Sequence, residues 1–232
     1  MTTRNTYALR HRAAMLLAAL SIMAAGSAVH AQGRYTFEQG GLGPEWRYVG
    51  QADASKYSIV DGRLRLRGSI YELHEGKGGT FVGQELRADS FTVETKMTLI
   101  DTESGDEGGL CVYHSPRGYV QCCLSNYQGS RRLKVRLRLL SHELVLADQP
   151  AGMMREVWLR LTASGQKLTF YYSTDGVRYH SLEEVERQLL SPTLTGASGP
   201  GLVGMYAFMG STKYQSGLTF ADFDFFDYET YP

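Results

Sequence analysis

"VWLRLTASGQKLTFYYSTDG", Val157 to Gly176, decides the fold. Apolar residues recur at every second position on both sides of Ser164 to Lys167, the period of a half-buried strand rather than of a helix. Pairing around that turn sets Leu161 opposite Phe170 and Leu159 opposite Tyr172. Trp158, Arg160 and Tyr171 are left on the other face, where flat rings beside a planar guanidinium could line a carbohydrate groove or form half-buried sheet surface. Asp175-Gly176 closes the second strand with a further turn.

The same alternation runs outward in both directions. "YSIVDGRLRLRG" (Tyr57 to Gly68) is a hairpin, because Asp61-Gly62 supplies the positive backbone angles of a type I′ turn. "FTVETKMTLI" (Phe91 to Ile100) is a long alternating strand. In "RLKVRLRLL" (Arg132 to Leu140) Leu133, Val135, Leu137 and Leu139 share one face. Arg132, Lys134, Arg136 and Arg138 share the other, either as a site for acidic polysaccharide or as an outward face answered by Glu and Asp on neighbouring strands. Only "LEEVERQLL", Leu182 to Leu190, reads as a helical turn or two. About a dozen short strands without alternating helices predict an all-β fold, a two-sheet antiparallel β-sandwich of jelly-roll type.

The N-terminus has a different character. Arg4, Arg10 and Arg12 precede an apolar run from Ala13 to Ala28, followed by small residues before Ala31, the layout of a secretory signal peptide. The run is shorter than the ~20 residues that span a bilayer. The expectation is therefore a signal peptide over residues 1–31 and one domain over 32–232, exported to the periplasm or beyond and not held in a membrane. Cleavage removes three of the 24 basic residues and none of the 24 acidic ones, leaving a formal charge of −3. That balance speaks against a general polyanion binder, and the basic stripe has no interleaved aromatics to stack nucleic-acid bases.

All three cysteines lie in "GLCVYHSPRGYVQCCLSN", Gly109 to Asn126. With Pro116-Arg117 as the turn, His114 faces Tyr119, Val112 faces Gln121 and Cys111 faces Cys122. Cys111, Tyr113, Val120, Cys122 and Leu124 then form a core face, where Cys111 and Cys122 are a candidate cross-strand disulfide or a pair of buried thiols. His114, Tyr119, Gln121 and Cys123 point the other way, the first three as candidates for sugar contact. A zinc site is not expected, since this register separates the histidine from two of the thiols.

Eight stretches, in this order, resemble the C-terminal concanavalin A-like domain of family-43 β-xylosidases: "LGPEW" (Leu42 to Trp46), "GRLRLRG" (Gly62 to Gly68), "TFVGQ" (Thr80 to Gln84), "FTVETKMTL" (Phe91 to Leu99), "GGLCVYH" (Gly108 to His114), Val157 to Gly176, "LVGMYA" (Leu202 to Ala207) and "ADFDFFDYE" (Ala221 to Glu229). The resemblance implies a concanavalin A-like sandwich. In those enzymes a propeller carries the catalytic carboxylates and the sandwich packs against it to help close the sugar pocket. Residues 36–229 are used up by the sandwich. The family's pocket-closing phenylalanine has no counterpart in "GASGPGLVG" (Gly196 to Gly204). These departures imply a stand-alone module without catalytic residues of its own.

"DFDFFD", Asp222 to Asp227, also looks like the catalytic strand of other concanavalin A-like glucanases. Alternation puts Asp227 on the opposite face from Asp222 and Asp224 unless a bulge intervenes, whereas a retaining glycosidase needs two carboxyls about 5–5.5 Å apart. Catalysis is not expected there. No cofactor is required, but a structural calcium held by Asp222, Asp224 and Glu38 stands beside the alternative of a solvated strand end. The function implied is an exported carbohydrate-binding or accessory module for plant-type polysaccharide such as xylan or arabinan. The alternative is a subunit that docks on a separate family-43 glycoside hydrolase.

Overall fold

A computed structural model describes residues 33–38, 41–100, 103–210 and 218–232; the signal-peptide reading of residues 1–31 lies outside them. The described residues form 16 strands in two antiparallel sheets, so the sandwich expected from the alternation is the architecture observed.

One sheet runs in the order β13 (His180–Glu186), β12 (Lys167–Ser173), β11 (Glu156–Ser164), β6 (Ser90–Ile100), β15 (Phe220–Phe223), β4 (Arg63–Arg67) and β3 (Tyr57–Val60). Beside β15, β16 (Phe225–Tyr231) also pairs with β6 and carries β1 (Gly33–Thr36) on its outer side. The second sheet runs β10 (His142–Gly152), β9 (Ser130–Leu139), β8 (Gly118–Tyr127), β7 (Glu107–Ser115), β14 (Leu202–Phe208), β5 (Thr80–Glu85) and β2 (Arg47–Tyr48).

Period-two patterning explains the core. Leu64, Leu66, Val93, Met97, Leu159, Leu161 and Phe170 from one sheet meet Leu110, Val112, Val120, Leu133, Val135 and Met205 from the other, all fully buried. At roughly 1.5–3 kcal/mol per buried large apolar side chain, this layer is the dominant favourable contribution to folding. The Leu161–Phe170 and Leu159–Tyr172 pairs form as the sequence predicts. Asp61 and Gly62 take φ of 51° and 73°, as their turn requires.

A smaller apolar cluster lies on the far face of the second sheet, where Phe81, Cys111, Tyr119, Cys123 and Tyr206 pack with Leu73. Leu73 belongs to a 3₁₀ turn, Leu73–Glu75, in the segment joining β4 to β5. Alternation does not reveal this cover, because its contacts come from a loop remote in sequence.

Three expectations are corrected. The Pro116-Arg117 turn is right, with Ser115 opposite Gly118, but a bulge at His114 displaces all pairing beyond it by one residue. Cys111 therefore faces Gln121 and Cys122 faces Leu110. Cys122 lies in the main core as expected, but because side chains alternate the slip puts Cys111 on the opposite face, and all three thiols are free, so the Cys111–Cys122 disulfide does not form. A second bulge separates β15 from β16: Phe223 faces Met97, yet Asp227 already faces Glu94. Asp227 thereby joins Asp222 and Asp224 on the outer face. Finally, most of the Leu182–Leu190 segment is strand; only Arg187–Leu190 makes a 3₁₀ turn, followed by the short helix α1 (Pro192–Thr195).

Candidate functional site

The outer face of the first sheet brings together residues from five strands. Register aligns Arg34 on β1, Asp227 on β16, Glu94 on β6, Arg160 on β11 and Tyr171 on β12 in one row across the sheet. Arg34, Asp227, Glu94 and Arg160 line a groove of about 480 Å³, which Thr92, Thr162, Gly176, Glu229 and Tyr231 complete.

The charges of this row are paired. Arg160 donates to Glu94 Oε2 through Nε at 2.7 Å, its Nη2 lies 2.6 Å from the same oxygen, and its guanidinium lies 3.5 Å from the Tyr179 ring centroid. Arg34 Nε donates to Asp227 Oδ2 at 3.4 Å, with its guanidinium 3.9 Å from the Phe225 centroid. Both arginines are thus fixed by a carboxylate on one side and a ring on the other, which lowers the entropy lost when their remaining N–H groups take a ligand. Asp227 Oδ1 is buried without a partner. Burial raises the Asp227 carboxyl above its ordinary value, against the lowering effect of Arg34. Tyr231 donates to Glu229 Oε2 at 2.9 Å and leaves its ring half exposed at the mouth. Fixed carboxylates, guanidinium groups and flat rings are the groups that grip adjacent hydroxyls and a sugar face.

Of the residues singled out in the sequence, Arg160 lines the groove. Trp158 sits beside it, under the turn at Gly176, where an added Cβ would come within 2.8 Å of its indole nitrogen. Lys96 lies 5.0 Å from the Trp158 ring, and Tyr171 flanks Arg160 outside the groove. Asp227, read from the sequence as part of a candidate strand of aspartates, also lines it, whereas Glu94, Arg34 and Tyr231 carry no such reading. The outward alternation of "FTVETKMTL" marks Glu94, but its neighbours come from both chain ends.

His114, Tyr119 and Gln121 do not share an open face. Tyr119 is 1% exposed, stacked on Tyr113 with its hydroxyl 3.3 Å from His74 Nδ1 under the loop after β4. Gln121 is buried and accepts from Arg136 at 3.2 Å. The bulge turns His114 away from both, into a cleft of about 520 Å³ at one end of the sandwich, floored by Phe91, Val112, Leu168 and Leu190. Burial, and then the Arg187 charge, lower the His114 pKa. Arg187 staples this cleft by donating to the Asp89 and Gly165 carbonyls and to Asp89 Oδ1.

Two of the four cations of the basic stripe are answered by acids, and Lys134 lies 5.9 Å from the Tyr127 ring centroid. Arg132 pairs with Asp148, and Arg136 with Glu107 and Glu143. The calcium set does not assemble either: both oxygens of fully buried Asp222 accept from Arg65 at 2.7 Å. Asp224 pairs with Lys96 at 3.3 Å, and Glu38 shares only an open rim with it and Asp61. Among the described residues no group of three His, Cys, Asp or Glu side chains is placed to hold a metal ion.

Comparison with known proteins agrees with the fold. Residues 34–229 match the model of the β-xylosidase C-terminal concanavalin A-like domain. The chain is 25% identical over 197 residues to the non-reducing end α-L-arabinofuranosidase BoGH43B of Bacteroides ovatus, covering 84% of this chain and 36% of that protein. It superposes on the crystal structure of the GH43 protein BlXynB from Bacillus licheniformis with a TM-score of 0.78 and 26% identity, covering 87% of this chain and 40% of that one. A xylan β-1,4-xylosidase from Bacillus halodurans, at 21% identity and a TM-score of 0.75, shares the fold over 84% of this chain and 38% of its own. The chain thus spans well under half the length of these relatives.

Proposed function

The chain belongs to the family of β-xylosidase C-terminal concanavalin A-like domains, and from that premise we propose that it is a non-catalytic carbohydrate-binding or accessory module serving the breakdown of plant-type polysaccharide such as xylan or arabinan. We place it outside the cytoplasm, on the strength of the basic and apolar segments of residues 1–31.

The observation that carries the reading is the groove on the first sheet. Each of its two arginines is paired with a carboxylate and the third carboxylate, Glu229, accepts from Tyr231, so no cation is left over to select an anion and its hydrogen-bonding capacity is aimed at neutral hydroxyls. Affinity electrophoresis in gels containing xylan or arabinan tests it. Retardation is expected with at least one, and Arg160→Ala or Glu94→Gln should weaken it about tenfold, the loss of one charge-assisted hydrogen bond. Full mobility in both gels overturns the reading.

A second reading, docking on a separate family-43 hydrolase, is favoured by the apolar-floored cleft around His114 and Arg187. Its test is retention of such a hydrolase by the immobilised protein. Leu190→Asp should abolish retention, and retention unaffected by it removes this cleft from consideration.

A further inference from the structure

A separate pocket has the opposite electrostatic character. It encloses about 280 Å³ and is lined by Lys56, Arg67 and Lys77, together with Ile70, Tyr71 and Met209; no carboxylate lines it. Lys56 donates to the Gly78 carbonyl and lies 3.9 Å from Asp53. Among the described residues Arg67 and Lys77 have no ion-pair partner, in a chain with as many acidic as basic residues. The ammonium of Lys77 is 5.4 Å from the Tyr71 ring centroid, and Ile70 and Tyr71 are 52% and 36% exposed.

Backbone and side-chain bonds hold this pocket in shape. Ser69 Oγ donates to the Gly78 carbonyl at 3.2 Å and accepts from the Tyr71 amide at 3.1 Å, while the Met209 amide donates to the Ser69 carbonyl at 2.9 Å. Gly68 allows that approach, since a Cβ there would lie 3.1 Å from the Met209 nitrogen.

We propose that this pocket binds a carboxylated sugar, a hexuronic acid unit of a polysaccharide, with Arg67, Lys77 and Lys56 around the carboxylate and Tyr71 and Ile70 against the ring. Three cations against the single carboxylate Asp53, which pairs with Lys56 and lies outside the lining, leave Arg67 and Lys77 to select an anion, and the exposed ring and aliphatic wall add an apolar face that a bare inorganic anion has no use for. The volume suits one sugar residue, below the ~300–1,000 Å³ of pockets that enclose larger ligands. Three cations in one small pocket do not make the continuous track that a nucleic acid requires.

The inference rests on the carbohydrate reading but uses a different site, so the two can fail separately. Titration calorimetry with tri-galacturonate, its carboxyl-reduced neutral counterpart and inorganic phosphate tests it. Tri-galacturonate should bind and the reduced form should not. Arg67→Ala and Lys77→Ala should each weaken binding about tenfold. Tyr71→Ala should weaken it severalfold, and Arg160→Ala should leave it unchanged. Equal binding of both saccharides, or no effect of Arg67→Ala and Lys77→Ala, overturns the proposal. So does phosphate binding as tightly as tri-galacturonate with Tyr71→Ala silent, which marks a plain anion site. Loss of xylan and arabinan retardation with tri-galacturonate binding intact sinks the groove reading alone.

Discussion

Cys111, Cys122 and Cys123 illustrate what burial does to reactive groups. Burial drives the Cys122 thiol up to about 12 and raises Cys111 and Cys123 well above the ordinary range, so none is an available thiolate at neutral pH. Mass spectrometry of the folded protein should find three thiols that iodoacetamide reaches only after denaturation; a Cys111–Cys122 disulfide would contradict the observed register. Cys123 donates to Glu107 Oε2 at 3.4 Å, and Glu107 in turn pairs with Arg136, both nearly sealed from solvent. Removing Glu107 leaves the nearly buried Arg136 with only the partly exposed Glu143, so Glu107→Gln should cost about 3 kcal/mol in chemical denaturation, the low end for a broken buried pair. A double change of Glu107→Leu with Arg136→Met should cost much less. Asp227 gives a pH signature. Its folded carboxyl is raised by burial, so its favourable contribution is complete below the ordinary carboxylate pKa and is lost as pH climbs through the folded value. Thermal melts should therefore show Asp227→Asn faring better relative to wild type at pH 7 than at pH 4.

The two bulges are decisive among the elements. One extra residue at His114 moves Cys111 and Tyr113 off the main-core face, and one between β15 and β16 brings Asp227 into the groove, while Tyr119 stays on the face read for it and is buried by the smaller cluster that includes Leu73. A period-two reading is sound within a strand and fails across a bulge, because neither "VYHSPRG" nor "DFDFFD" contains a residue that forces the extra step. The strand termini also depend on contacts. Gly118 begins β8 where an added Cβ would overlap the methyl of Thr195 at the end of α1. Gly118→Ala should lower stability by about 1–3 kcal/mol, read as a shift in denaturation midpoint; an unchanged midpoint would mean α1 is not seated on the hairpin.

Two chemically different places emerge from the whole molecule, a groove on the first sheet whose arginines are both paired with carboxylates and a basic pocket beside the loop after β4. They share no lining residue. A double variant Arg160→Ala with Arg67→Ala should show independent losses, for neutral polysaccharide and for tri-galacturonate respectively, and each loss should match that of the single variant. Alternation and turn chemistry, read along the sequence, determined the all-β class, the hairpins at Asp61-Gly62 and Ser164 to Lys167, and most of the main core, because these depend on neighbours one to ten residues apart. The Arg34–Asp227–Glu94–Arg160 row, the layer over Tyr119 and the pocket around Arg67 were decided by tertiary structure. Each assembles residues far apart in the chain through strand order and single-residue bulges, and those are set by the total packing rather than by any local run of amino acids.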